Sequence, residues 1–237
     1  MPTAVLSKRM RAASEAVERG KAYTIADAVA AVQKAQGPKF DESVDLAIKL
    51  DIDPKQTDQQ VRGTVVLPHG TGKTVRVIVF AKGDAVKAAQ GAGADEVGGD
   101  ELIQKVNGGW LEFDVVVATP DLMKDLAKLG KLLGPRGLMP SPKAGTVTLD
   151  VAKAVKDVKR GKVEFKMDKQ GDIHLSVGKR SFKPEQLVEN LTAVFEALWK
   201  ARPAAAKGQY VKGISLSSTM GPGVKLDVNA LRQMVGA

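Results

Sequence analysis

Apolar positions along the chain change period several times, and each change marks an element. Val44, Leu46, Ile48 and Leu50 alternate with Asp45, Ala47 and Lys49, the period of two that places one strand face in a core and the other in water. Val61 to Leu67 reads as a second strand, and Tyr210 to Thr219 and Val224 to Val228 read as two more. Val163, Phe165 and Met167, then Ile173, Leu175 and Val177, alternate on either side of Lys169-Gln170-Gly171-Asp172, which predicts a hairpin. Val75 to Phe80 and Val115 to Ala118 are instead nearly continuous apolar runs, the pattern of strands covered on both faces in parallel sheets.

Helices are expected between these strands. Lys8, Arg9 and Arg11 give a short first helix a basic side. Thr24 followed by Asp27 is a helix start, with Ile25, Val29 and Val32 sharing a face until Gly37-Pro38 stops the run. Ala85 to Ala89, Glu101 to Val106 and Asp121 to Leu133 have helical composition, the last broken at Gly130, while glycine-rich Gly91 to Gly99 reads as a plain connection. Asp150 caps a helix carrying Val151, Ala154, Val155 and Val158. Pro184 opens a long one with Leu187, Leu191, Val194, Phe195 and Leu198 at helical spacing.

Half-exposed strands thus lie at both ends of the chain and fully buried ones in the middle. The expected fold is an α+β split outer domain, with a half-exposed antiparallel sheet, plus an inserted α/β Rossmann-like domain. The boundaries fall at residues 1–67 with 160–237 for the discontinuous domain and 68–159 for the insert. Pro68, Gly70, Gly72 and Gly161 lie at the two crossings and are the candidate hinge.

Charge then narrows the partner. The chain carries 36 basic and 27 acidic residues, a formal +9, which favours a polyanion. The insert holds 13 basic and 11 acidic residues and the split domain 23 and 16, so the excess belongs to the split domain. No apolar run reaches the roughly 20 residues of a membrane span, and no signal-peptide core opens the chain, so a cytoplasmic protein without a membrane partner is expected. With no cysteine and two histidines, neither a disulfide framework nor a metal centre is expected. Aromatic residues make up only 4%, too few for a base-stacking platform.

Several stretches suggest chemistry. Gly72-Lys73-Thr74 imitates the end of a phosphate-binding loop, but Leu67 stands where its first glycine belongs and a strand follows. A nucleotide-dependent enzyme using the insert is therefore the rival reading, and a general DNA-binding protein a weaker one. His69 and His174 lack a nucleophile or carboxylate constellation, so no catalytic residue and no cofactor is assigned. Lys39, Lys166 and Lys169 are either phosphate contacts or a solvated face. Ser217 to Gly221 offers hydroxyls and close backbone to a ribose, or is an ordinary turn. Gly134 to Thr146, rich in glycine and proline and carrying Arg136 and Lys143, is either a binding loop or a stiff packed connection.

Four motifs resemble one family: Phe40 to Leu46, Arg62 to Lys73, Leu132 to Pro140, and Ser218-Thr219-Met220-Gly221-Pro222-Gly223. In this order they are similar to the bacterial large-subunit ribosomal protein one family of the mobile stalk beside the tRNA exit site. The resemblance spans essentially the whole chain. It implies a non-enzymatic protein, monomeric within the ribosome, that binds structured ribosomal RNA (rRNA), represses translation through its own operon mRNA, and assists movement of exit-site tRNA. Carried onto matching positions, it implies RNA contacts at Lys39, Phe40, Glu42, Ser43, Lys166, Lys169, Ser217, Thr219, Met220 and Gly221. Glu42, unfavourable against phosphate, is expected to orient a lysine or accept from a ribose hydroxyl. Where the family often has Asn or Thr, this chain has Ser141, Ser43 and Ser217, all still polar.

Overall fold

Strand β1 (Ser43–Leu50) lies inside an antiparallel sheet of order β7-β1-β8-β9, with β7 (Asp172–Lys179), β8 (Val211–Ser218) and β9 (Val224–Leu226). Its even-numbered residues Val44, Leu46, Ile48 and Leu50 are buried and its odd-numbered ones are not. Helices α2 (Ile25–Lys34) and α8 (Pro184–Lys200) cover the apolar face. Thr24 starts α2 as its spacing predicts, its hydroxyl accepting from the Asp27 amide. All five apolar residues read for α8 are buried.

The computed structural model describes residues 7–235 except 16, 19, 55, 57, 58, 204, 205 and 207. It divides into two units, Met1–Gly72 with Glu164–Ala237, and Lys73–Val163. Helix α1 (Lys8–Glu15) belongs to the first unit. So does α9 (Val228–Val235), where the apolar pattern had suggested strand running on to Val228. Asp227 explains the change: its carboxylate accepts from the Asn229 and Ala230 amides and so starts a helix.

The expected hairpin around Gly171 does not form. Strand β6 (Lys162–Lys166) pairs with β2 (Arg62–Val66), while β7 pairs with β1. The Asp168 carboxylate accepts from the Gln170 and Asp172 amides, so the turn is real, but it carries the chain from one sheet to another. The matched alternation of Ile48 opposite Ile173 and Leu46 opposite Leu175 holds β7 on β1.

In the second unit, β3 (Val77–Phe80) lies between β4 (Glu96–Gly98) and β5 (Val115–Ala118), all parallel. Alternate residues of β3 enter opposite cores, which is why the run is apolar throughout. Ile78 and Phe80 pack with α4 (Asp100–Asn107), α5 (Met123–Leu126) and α6 (Gly130–Leu133). Val77 and Val79 pack with α3 (Asp84–Gly91) and α7 (Val151–Lys159). The chain is therefore mixed α/β, with antiparallel and parallel sheets in separate units. Strand β4 lies within the stretch read as a plain connection; with Val97 alone between Glu96 and Gly98, it offers no period to detect.

Asp95 ties this sheet to α7: its carboxylate accepts from the Val77 amide at 2.8 Å and pairs with Lys159 at 3.3 Å. The Val77 N–H, then the Lys159 ammonium, hold its pKa below the ordinary carboxylate value. A folded pKa depressed in this way contributes stability above the unfolded value near 3.9, and the contribution disappears as pH falls through the lower folded value. Asp95→Ala is expected to lower the urea midpoint at pH 7, with the gap from wild type closing below about pH 4. A gap independent of pH in urea titrations would contradict this.

Candidate nucleic-acid interface

Residues 36–42 join α2 to β1, and one side chain fixes their path. Arg180 follows β7 and donates to the carbonyls of Gln33 and Ala35 at the C-terminal end of α2, placing a cation where the helix dipole is negative. Its Nη1 also donates to Glu42 Oε2 at 3.0 Å. Glu42 is only 1% exposed. Its other oxygen, Oε1, accepts from the Met220 amide at 2.8 Å.

Glu42 thus joins three separated pieces of chain from beneath the surface. The expectation that it faces a lysine or a ribose is corrected: both carboxylate oxygens are occupied, and a buried carboxylate requires such partners. The neighbouring turn supplies more fastening. Lys179 donates to the Asp41 carbonyl and the Ser43 hydroxyl, and the Ser181 amide and hydroxyl donate to Asp41.

Across β1, Ser218 to Gly221 closes a turn with the Gly221 amide donating to the Ser218 carbonyl at 3.1 Å. A Cβ on Gly221 would come 2.3 Å from Ser218 Oγ, so any larger residue here would have to turn that hydroxyl away. The Thr219 hydroxyl accepts from the Ser43 amide at 3.1 Å and donates to the Ser43 carbonyl at 3.3 Å, while the Thr219 amide donates to the same carbonyl. Thr219 therefore extends the β1–β8 ladder beyond its last strand pair.

What remains outside is informative. Phe40 is 56% and Met220 46% exposed, large apolar side chains held at one end of the sheet on backbone fixed from below. Lys39 is exposed beside Phe40, and Ser217 pairs with Asp45 on the open sheet face. This end gathers Lys39, Phe40, Glu42, Ser43, Ser217, Thr219, Met220 and Gly221. Lys166 and Lys169 are exposed but lie elsewhere. Their turn meets Leu50, through the Leu50 amide and the Gly171 carbonyl, at the opposite end of β1 and roughly 23 Å from Ser43 at strand rise.

Asp168, Asp172 and His174 bring donor atoms close together there. The Asp172 N–H, then that of Gln170, lower the Asp168 pKa, which is the signature of a turn cap. Lys49 pairs with Asp172.

Of the candidate hinge residues, Gly70, Gly72 and Gly161 have positive φ. Fully buried Asn190 fastens the first crossing: its Oδ1 accepts from the His69 amide and its Nδ2 donates to the Gly70 and Val177 carbonyls. Val75 is already packed in the second unit. Arg180, Lys179, Asp41 and Asn190 were missed from sequence, where each reads as an ordinary polar residue.

The profile of the Ribosomal protein L1p/L10e family matches residues 30–222. The chain is 55% identical to the "Large ribosomal subunit protein uL1" of Protochlamydia amoebophila over 222 residues, 94% of each chain. It is 56% identical over 225 residues to the protein of the same name from Clavibacter michiganensis subsp. michiganensis, covering 95% of this chain and 99% of the relative. Among the described residues no helix is long and apolar enough to cross a membrane. With the family profile matching residues 30–222 and identity running along nearly its whole length, the chain belongs to the ribosomal protein L1p/L10e family.

Proposed function

We propose that the chain is a cytoplasmic component of the large ribosomal subunit that binds structured rRNA through the end of the four-stranded sheet. The observation that carries this reading is the fastening of Ser43, Thr219 and Met220 around buried Glu42, with Phe40 and Met220 left exposed. In this reading the two exposed apolar side chains at one end of the sheet are contact surface for the RNA. Preorganised, they can cover a base or ribose face without a further ordering cost.

The roles then divide. Lys39, Lys166 and Lys169 supply the salt-sensitive phosphate term, which is indifferent to sequence. Ser43, Ser217, Thr219 and the Gly221 backbone read ribose edges, and Glu42 acts as a positioning residue. Two phosphate-contacting regions at opposite ends of β1 suit an extended RNA fold. The same surface would accept a similar fold in the chain's own operon mRNA. The Lys73–Val163 unit is the Rossmann-like part proposed to meet exit-site tRNA. The pivot of the first crossing is Lys73-Thr74, after the Asn190 fastening and before Val75, and that of the second is Gly161. We place the protein in the ribosome as a monomer without an enzymatic step.

Thr219→Val keeps the shape but removes the hydroxyl bridge to Ser43. It is expected to weaken binding to deproteinised large-subunit rRNA about tenfold, one lost hydrogen-bonded contact, and binding to random RNA hardly at all. Filter binding at fixed salt decides it. Equal losses on both RNAs would remove the readout role.

A further inference from the structure

The open face of the four-stranded sheet carries features that the sheet end does not explain. Residues paired across an antiparallel ladder point the same way. One row on the open face therefore runs Lys225, Ser215, Ala47, His174, and the next contains Gly213, Lys49 and Asp172. Small Ala47 and Gly213 hollow this face into a groove of about 470 Å³.

Lys212 is the anomaly. Register shifts between Lys49 and Leu50, so that Gly213 faces Lys49, Val211 faces Leu50, and Lys212 is the extra residue of a bulge. By plain alternation with buried Ile214, it would point into the core. The bulge turns it instead into the groove beside Lys225. A lysine on the wet side of a strand is ordinary. A ladder irregularity that brings a second one to the same hollow is less so.

The charges lining the groove do not cancel. Lys49 is committed to Asp172 and the Gln170 carbonyl, and Lys21 pairs with Glu18. No hydrogen bond or ion pair occupies the Lys212 or Lys225 ammonium among the described residues. Beside the groove, outside its lining, stand Asp45, one row nearer Thr219 on the same face, and Asp168, whose carboxylate lies with that of Asp172 close to His174. Among the lining residues three lysines stand against the single carboxylate of Asp172, and Ser215 adds a hydroxyl for an anion.

We propose that this groove is a further phosphate-binding site, between the Lys39 and Lys166 regions, which takes the sugar–phosphate backbone of the same RNA held at the Phe40 and Met220 end. The inference rests on the RNA-binding reading, because the groove alone would suit any polyanion. It follows the open face along β1 and β8, so an RNA seated at Thr219 needs only to continue along the sheet to reach it. The groove adds affinity without sequence choice, since ammonium groups and a serine contact backbone and not base edges.

The test is the salt dependence of filter binding by the full chain to deproteinised large-subunit rRNA. Each phosphate contact contributes a slope of about 0.7–0.9 in log affinity against log salt. The Lys212→Ala, Lys225→Ala double variant is expected to flatten the slope by about 1.4–1.8. A control of equal charge change, Lys153→Ala with Lys156→Ala on α7, is expected to keep the wild-type slope. A groove variant whose slope matches wild type or the control overturns the proposal. A wild-type chain with no preference for the rRNA over random RNA instead sinks the ribosomal reading, and the two failures remain distinct.

Discussion

Arg180→Ala is expected to lower the free energy of unfolding by about 3 kcal/mol, the cost of leaving a buried charge without its partner. Glu42, 1% exposed in the intact fold, keeps only the Met220 amide when the guanidinium is gone. The terminal carbonyls of α2 lose their cap in the same step. Arg180 itself keeps 23% of its side-chain surface exposed, so the estimate sits at the low end for buried pairs. Arg180→Lys should recover little, because one ammonium cannot satisfy a carboxylate and two carbonyls set around a planar fork. Glu42→Gln should cost less, about 1–2 kcal/mol, since an amide retains an acceptor for Met220. Urea unfolding at pH 7 with an unchanged m-value is the measurement. A loss under about 0.5 kcal/mol for Arg180→Ala would mean that the Glu42 network does not hold the site.

The double variant Phe40→Ala, Met220→Ala is expected to act in the opposite sense, sparing the fold and abolishing recognition. Both side chains are about half exposed, so stability should change by less than about 0.5 kcal/mol. Aromatic contact with one base is worth about 1–3 kcal/mol, and with the methionine also removed the loss for structured rRNA should approach about 100-fold. Random RNA, held by lysines, should lose far less. Unchanged affinity for the rRNA would remove this end of the sheet as the interface, whatever the lysines do.

The fold was legible where a local signal had a single cause. Val44 to Leu50 alternates because one face meets α2 and α8, and Val77 to Phe80 does not because helices cover both faces. Thr24 and Asp150 start helices because their side chains reach amides three residues on, an interaction complete within one turn. Strand pairing is not local. The turn at Gly171 is the same whether β6 and β7 pair or part, so no residue there announces that they join different sheets. The start of α9 was hidden similarly: Val224 to Val228 looks like continuous strand until the Asp227 carboxylate is seen on the amides that follow.

Within the candidate site, sequence and resemblance pointed to the groups left outside, Phe40, Thr219 and Met220, and misjudged the one held inside. Glu42 looks like any surface carboxylate, and its burial depends on Arg180, which lies 138 residues away. The sequence alone determined what composition, period and motif can carry: mixed α/β content, an excess of positive charge in the parts outside 68–159, and the family resemblance. Only the tertiary structure decided which strands are neighbours, that Asn190 fastens the first crossing, that a bulge turns Lys212 outward, and that Glu42 joins α2, β1 and the Met220 turn. The physical reason is range. Periodicity and capping are settled within a few residues by geometry, whereas a buried charge or a strand partner is chosen by groups that only folding brings together.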